Sequence, residues 1–173
     1  MMSLLRHCMT GTALILLAVS APCAFAEGSQ AAAKAKPSDT KLIERGRYLA
    51  RIAGCNDCHT PGYAQSGGKV PEKDWLIGDR LGWRGPWGTT YPANLRQYMQ
   101  KLTEEQWLKV AHTAQMRPPM PWFALRDMTQ ADLRALYRFI RHLGPAGEAA
   151  PAYLSPDQAP KGPVVSFPQP PKQ

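Results

Sequence analysis

The pentapeptide Cys55-Asn56-Asp57-Cys58-His59 constrains this 173-residue chain more than any other feature of its sequence. Cysteines three residues apart on a helical turn project to the same side, so both sulfurs can reach one partner. The next residue, His59, then stands beside them as a metal ligand. This C-x-x-C-H spacing is the attachment sequence of c-type haem, in which thioether bonds hold one haem edge and the histidine binds the iron.

Other chemistries of a cysteine pair fit this sequence less well. A redox-active C-x-x-C pair normally sits in a thioredoxin-like βαβ unit, and no such pattern surrounds this one. Zinc needs further ligands, and His112 and His142 are not spaced as in a zinc finger. The sequence therefore predicts one covalent haem c, attached through Cys55 and Cys58 and ligated by His59.

Residues 1–26 have the pattern of a secretory signal peptide. A basic start at Arg6 precedes a short apolar run at 12–20, and the small residues Ala24 and Ala26 frame a cleavage site. The run is shorter than the roughly 20 residues that span a bilayer. We expect cleavage after Ala26, export to the periplasm and no permanent membrane anchor.

Cleavage would remove Cys8 and Cys23 and leave a single haem-attachment pair. Lipid attachment at Cys23 is the alternative, although Pro22 stands where lipoproteins usually have a small residue. The formal charge of +8 falls to +7, because the leader contains Arg6 and no acidic residue. A basic surface suits an acidic protein partner, and export argues against nucleic acid as a partner.

The remaining chain divides by composition into a linker, one domain and a tail. Residues 27–38 are small and polar, which is typical of a flexible linker. Residues 39–143 are enough for one small domain. Residues 144–173 contain eight prolines, so this tail cannot be a helix or a central strand. It is either disordered or an extended strap on the domain.

Hydrophobic periodicity predicts three helices in the domain. They run from about Thr40 to Ala53, from Glu104 to Thr113 behind the N-cap Thr103, and from the N-cap Thr129 to Leu143. A shorter helical turn is indicated near 94–101. The stretch 60–93 is rich in glycine and proline and shows no sustained strand pattern, so we expect a loop ordered by the haem.

A sixth iron ligand has to come from elsewhere in the chain. Met120 stands in the sequence R-P-P-M-P-W, where three prolines stiffen the loop and leave little entropy to lose on ligation. Methionine elsewhere is more often adaptable core filler, which is our interpretation of Met99. We predict Met120 as the ligand, with Met116 and Met128 as alternatives.

The order of these features resembles that of class I monohaem cytochromes c. A helix, the C-x-x-C-H, an irregular middle, an M-P loop and a T-x-x-D-L-x-A-L-Y-x-F-I helix follow one another over 41–143. The likeness is greatest to cytochrome domains and subunits that serve periplasmic dehydrogenases. It implies an all-α class I cytochrome c fold with a Pro-rich C-terminal extension, in which Gly46 lies against Leu136 and Phe139 and Met120 binds the iron.

The sequence GPWGTTYPANL at 85–95 is similar to a stretch that borders the haem propionates in that family. The resemblance implies that Trp87, Tyr91 and Asn94 line the haem and that Arg84 pairs with a propionate. The family usually continues with a T-P-D…T-G-I-G hairpin, whereas this chain has RQYMQK at 96–101.

Histidine–methionine ligation closes the iron and raises its potential, which favours electron transfer over substrate chemistry. The sequence predicts an electron carrier, or an electron-transfer subunit, rather than a catalytic enzyme. Its expected partners are a periplasmic or membrane-associated dehydrogenase and a respiratory electron acceptor. The alternative is a haem enzyme or sensor, peroxidase-like or gas-binding, with a labile sixth ligand.

Overall fold

A computed structural model describes residues 38–168. The predicted signal peptide at 1–26, nearly all of the linker and residues 169–173 lie outside the described residues. The helices are α1 (Asp39–Ile52), α2 (Cys55–His59), α3 (Leu95–Gln100), α4 (Glu104–Thr113), α5 (Trp122–Arg126) and α6 (Gln130–Leu143). The strands are β1 (Gly82–Gly85), β2 (Gly88–Thr90) and β3 (Val164–Ser166), and Glu72–Asp74 forms a 3₁₀ turn. Within 38–168, no helix has the length and apolar character that crossing a membrane requires.

The core forms where the first and last helices cross. A Cβ placed on Gly46 of α1 would lie 2.1 Å from the Ala135 carbonyl oxygen and 2.6 Å from the Phe139 Cβ. Glycine therefore lets the two backbones touch, as the resemblance implied. Phe139 and Leu136 of α6 are buried at this crossing and continue into the core.

Side-chain caps fix where the longer helices begin. Thr129 accepts a hydrogen bond from the Asp132 backbone N–H at the start of α6. Thr103 and Gln106 form a reciprocal capping box at the start of α4. Both caps were predicted, and the observed bounds of α1, α4 and α6 lie within one residue of the predicted ones.

The stretch 60–93 differs from the expected loop because it contains two short strands. β1 and β2 pair as an antiparallel hairpin with Trp83 opposite Thr90, and β3 pairs in parallel with the other edge of β1. Strands of three or four residues are too short for alternation to be read. Half of the pairing of β1 comes from β3, whose residues lie 82 positions away in the sequence. The fold is therefore mainly helical, as predicted, but includes one small sheet.

The C-terminal tail takes the extended course of a strap on the domain. β3 lies at the edge of the sheet. Proline has no backbone N–H to donate to a neighbouring strand, so a proline-rich chain is tolerated at an edge, where it pairs on one side only. Earlier in the tail, Leu154 exchanges two backbone hydrogen bonds with Thr89 of β2. The prolines exclude helix and central strand but permit this edge.

Arg96 joins the tail to the helices from inside the protein. Its side chain is buried and donates to the carbonyl oxygens of Gly144 and Lys73, both at 2.6 Å, and to that of Leu143. The C-terminal end of α6 carries the negative end of the helix dipole, which favours a cation there. Burial lowers the pKa of Arg96. The segment that departs from the family pattern thus has a structural role.

Candidate haem-binding site

Both cysteines of the motif lie on the one-and-a-half turns of α2. Cys55 and Cys58 are its first and fourth residues, and both are free, partly buried thiols. Gly54, at φ +73°, makes the left-handed turn that separates α2 from α1. Burial raises the pKa of Cys55 to about 11 and also raises that of Cys58, so both thiols are protonated at neutral pH. A redox-active pair would instead carry a thiolate.

His59 is held on both its ring and its backbone. Its Nδ1 lies 2.7 Å from the Ala93 carbonyl oxygen, and its own carbonyl accepts a hydrogen bond from the Gly78 N–H at 2.9 Å. Since a carbonyl only accepts, we assign the proton to Nδ1, which leaves the Nε2 lone pair for a metal. Burial lowers the pKa of His59, so the ring is neutral, as a ligand must be.

Gly78 brings the carbonyl of Ala93 to the histidine. Its φ is +81°, and a Cβ there would lie 2.8 Å from the Asn94 backbone nitrogen and 2.9 Å from the Pro92 carbonyl oxygen. The two backbone segments therefore lie in direct contact. Neither Gly78 nor the carbonyl of Ala93 was predicted to position the histidine, and an isolated glycine in an irregular stretch was the one sequence signal of this contact.

Thr60 fixes the C-terminal end of α2. Its hydroxyl donates to the Asn56 Oδ1 and accepts from the Leu76 backbone N–H, each at 2.8 Å. All three residues are buried. Leu76 has a φ of +60°, which is rare for a non-glycine residue, so this contact helps to hold a strained backbone. The threonine thus ties the attachment helix to the segment that leads to Gly78.

Three buried nitrogens test whether these residues suit a haem. Within residues 38–168, the Nε1 atoms of Trp83 and Trp87 and the Nδ2 atom of Asn56 have no hydrogen-bond partner. Buried donors are normally paired, so these three nitrogens are candidates for an acceptor outside the protein chain, and which of them meets a haem propionate stays a prediction. Two thiols on one face of α2 and a neutral histidine with a free Nε2 are the groups that attachment of haem c requires, so these residues fit haem c.

Arg84, the predicted propionate partner, and Asn94, predicted to line the haem, both use their side chains to hold the tail. Arg84 donates to the carbonyl oxygens of Gln158 at 2.9 Å and Pro156 at 3.1 Å. Asn94 caps α3 and donates to the carbonyl oxygens of Ala146 and Glu148. Tyr91 lies in a cleft beside the tail. Haem contact by these residues and by Trp87 stays a prediction.

Burial separates the candidate sixth ligands into two groups. Met99 is completely buried in the core, as expected of a filler, whereas Met116, Met120 and Met128 are partly buried at its edge. The loop that carries Met120 is tied to the sheet, because the Thr90 hydroxyl donates to the Pro118 carbonyl oxygen at 2.6 Å.

Replacing Thr60 with valine removes one hydroxyl that serves two buried partners. We expect the unfolding free energy of the haem-loaded protein in urea to fall by about 2–4 kcal/mol, because each buried polar group left unpaired costs about 1–3 kcal/mol. Thr60→Ser keeps the hydroxyl and should cost about 1 kcal/mol or less. Equal losses in the two variants would contradict this role.

The comparisons agree with the geometry. The sequence model of the family described as Cytochrome c matches residues 43–144. The cytochrome c subunit of the quinone alcohol dehydrogenase of Gluconobacter oxydans is 30% identical over 123 residues, which cover 64% of this chain and 23% of that protein. The corresponding subunit of Gluconacetobacter polyoxogenes is 27% identical over 125 residues, covering 65% of this chain and 24% of the subunit.

A third relative comes from another dehydrogenase. A subunit of the nicotinate dehydrogenase of Pseudomonas putida is 27% identical over 124 residues, which cover 64% of this chain and 9% of that protein. The chain thus spans at most about a quarter of the length of these relatives. No solved structure matches it significantly. With the family model covering the domain and the C-x-x-C-H in place at Cys55, Cys58 and His59, the chain belongs to the cytochrome c family, whose covalent cofactor is haem c.

Proposed function

We propose that this cytochrome c is an exported, periplasmic electron-transfer protein whose axial ligands are His59 and Met120. The observation that carries the proposal is the buried, neutral imidazole of His59, whose Nδ1 is bonded to the Ala93 carbonyl while Nε2 stays free. Export is supported by the leader at 1–26, since haem attachment of this kind takes place outside the cytoplasm in bacteria.

Residues of the attachment motif and the Ala93 carbonyl would bind and orient the haem. When bound, haem c supplies a one-electron Fe(III)/Fe(II) couple. Cys55 and Cys58 would hold the haem through thioether bonds formed by addition of their thiols to its vinyl groups, and Nε2 of His59 would bind the iron. The Ala93 carbonyl fixes the tautomer and raises the basicity of the ring.

Met120 is the sixth ligand that the loop structure supports best. Pro118, Pro119 and Pro121 limit the conformations of the loop, so little chain entropy remains to be lost on ligation. The backbone of Met120 is also bonded on both sides, to the Arg117 carbonyl and from the Trp122 N–H. A thioether ligand raises the reduction potential and leaves no open position for a substrate.

A methionine scan tests this ligand. In the oxidised protein, expressed into the periplasm, we expect a thioether-linked haem spectrum with a methionine–Fe(III) charge-transfer band. Met120→Ala should abolish that band, because it removes the thioether that ligates the iron. Met116→Ala and Met128→Ala are the matched controls and should keep it. Loss of the band in Met116→Ala or Met128→Ala alone would show that the ligand is that methionine.

The relatives support a dehydrogenase as the electron donor. Two of them are named as cytochrome c subunits of a quinone alcohol dehydrogenase and the third as a nicotinate dehydrogenase subunit. We propose that this chain accepts electrons from a dehydrogenase of this kind and passes them to a respiratory acceptor. Its excess of basic residues speeds encounter with acidic partners.

Reduction by the host's own periplasmic and membrane fractions checks the donor. With an alcohol, an aldehyde or nicotinate as substrate, we expect the oxidised protein to be reduced. The rate should fall several-fold when ionic strength rises from about 10 mM to about 150 mM, because salt screens charge steering. A rate that rises with salt, or no reduction with any substrate while dithionite reduces the protein, would contradict this assignment.

A further inference from the structure

The C-terminal strap, residues 151–167, is bonded to the sheet along its length. At one end β3 pairs with β1, and the Phe167 N–H donates to the Arg84 carbonyl oxygen at 2.7 Å. At the other end, Leu154 and Thr89 exchange backbone hydrogen bonds of 2.8 and 3.0 Å. Between them, the Arg84 guanidinium holds the strap's own carbonyl oxygens. The strap is therefore fixed in register on the hairpin.

The strap packs against the hairpin turn at a position that requires glycine, Gly88. Gly88 has a φ of +100°, and a Cβ there would lie 2.2 Å from the Leu154 carbonyl oxygen and 3.0 Å from the Tyr153 ring. Only a residue without a side chain lets the strap approach this closely. Tyr153 is thereby placed beside the turn, where its hydroxyl donates to the Trp87 carbonyl oxygen at 2.7 Å.

Tyr153 also contacts the loop that carries Met120. The Arg117 guanidinium carbon lies 4.0 Å above the centre of the Tyr153 ring, which is a close cation–π contact. Arg117 is in turn joined to Met120, because its carbonyl accepts the Met120 N–H. The next residue of the loop, Pro118, is held by Thr90 of the same hairpin. Strap and hairpin thus contact the loop at two successive residues, Arg117 and Pro118.

We infer that the strap clamps the ligand loop, and that Tyr153 is the positioning residue that keeps Met120 at the iron. The inference rests on the proposed function, because it takes Met120 as the sixth ligand. Movement of the loop backbone carries the Met120 thioether away from the iron. Movement of this loop separates Arg117 from the Tyr153 ring, so the contact opposes ligand loss. With the strap in place, Met120 should therefore stay bound to the iron in a larger fraction of molecules than the loop alone would allow.

Imidazole binding to the oxidised, full-length protein measures the clamp. Imidazole binds only where the methionine has left, so its apparent affinity reports the fraction of molecules with an open iron. A partly exposed cation–π contact corresponds to about a two- to fivefold change in such an equilibrium. We expect Tyr153→Ala to bind imidazole about two- to fivefold more tightly than the wild type, while Tyr153→Phe, which keeps the ring, changes less.

A control variant and a double-mutant cycle distinguish the proposed clamp from a general loss of stability. Tyr48→Ala is matched, since Tyr48 is also an exposed tyrosine beneath an arginine, Arg45, but lies on α1. It should leave imidazole affinity unchanged. Arg117→Ala should act like Tyr153→Ala, and the double variant should add little to either.

Failure of the clamp differs from failure of the ligand assignment. Three results would overturn the clamp while the charge-transfer band is still lost in Met120→Ala. The effects of Arg117→Ala and Tyr153→Ala on imidazole affinity could be additive. Tyr153→Ala could leave that affinity unchanged, or Tyr48→Ala could raise it equally. Retention of that band in Met120→Ala would overturn the ligand assignment and the clamp together.

Discussion

The hydrogen bond from His59 Nδ1 to the Ala93 carbonyl is the contact on which the site depends. It decides which ring nitrogen is free, and burial keeps that ring neutral. The bond exists only because Gly78 lets the segment at 92–94 come into backbone contact with the chain that follows α2. Thr60 in turn ties α2 to Leu76, in the segment that leads to Gly78. The attachment motif is therefore positioned by residues well outside it.

The helical core and the sheet serve this site in different ways. The crossing of α1 and α6 at Gly46 gives a rigid base, from which α2 continues after the turn at Gly54. The hairpin and the strap contact the loop that carries Met120, through Pro118 and Arg117. A proline-rich tail stabilises this arrangement because its residues are already restricted before folding, so less entropy is lost on docking.

Features that depend on residues close in sequence were predictable, whereas features that depend on contacts between distant parts of the chain were not. The caps at Thr103 and Thr129 and the ends of α6 follow from residues within a few positions of one another. The strands at 82–90, the contacts of Arg84 and the carbonyl of Ala93 depend on partners that only the folded chain brings close. The family resemblance supplied Gly46 and Phe139, whose contact no periodicity reveals.

We propose above all that the iron is closed on both sides, which would distinguish an electron-transfer protein from a haem enzyme or a gas sensor. Carbon monoxide added to the dithionite-reduced protein at neutral pH tests it most directly, because the gas binds only to an open ferrous iron. We predict no change in the visible spectrum of the reduced haem. Stoichiometric formation of a carbon monoxide complex would contradict the account.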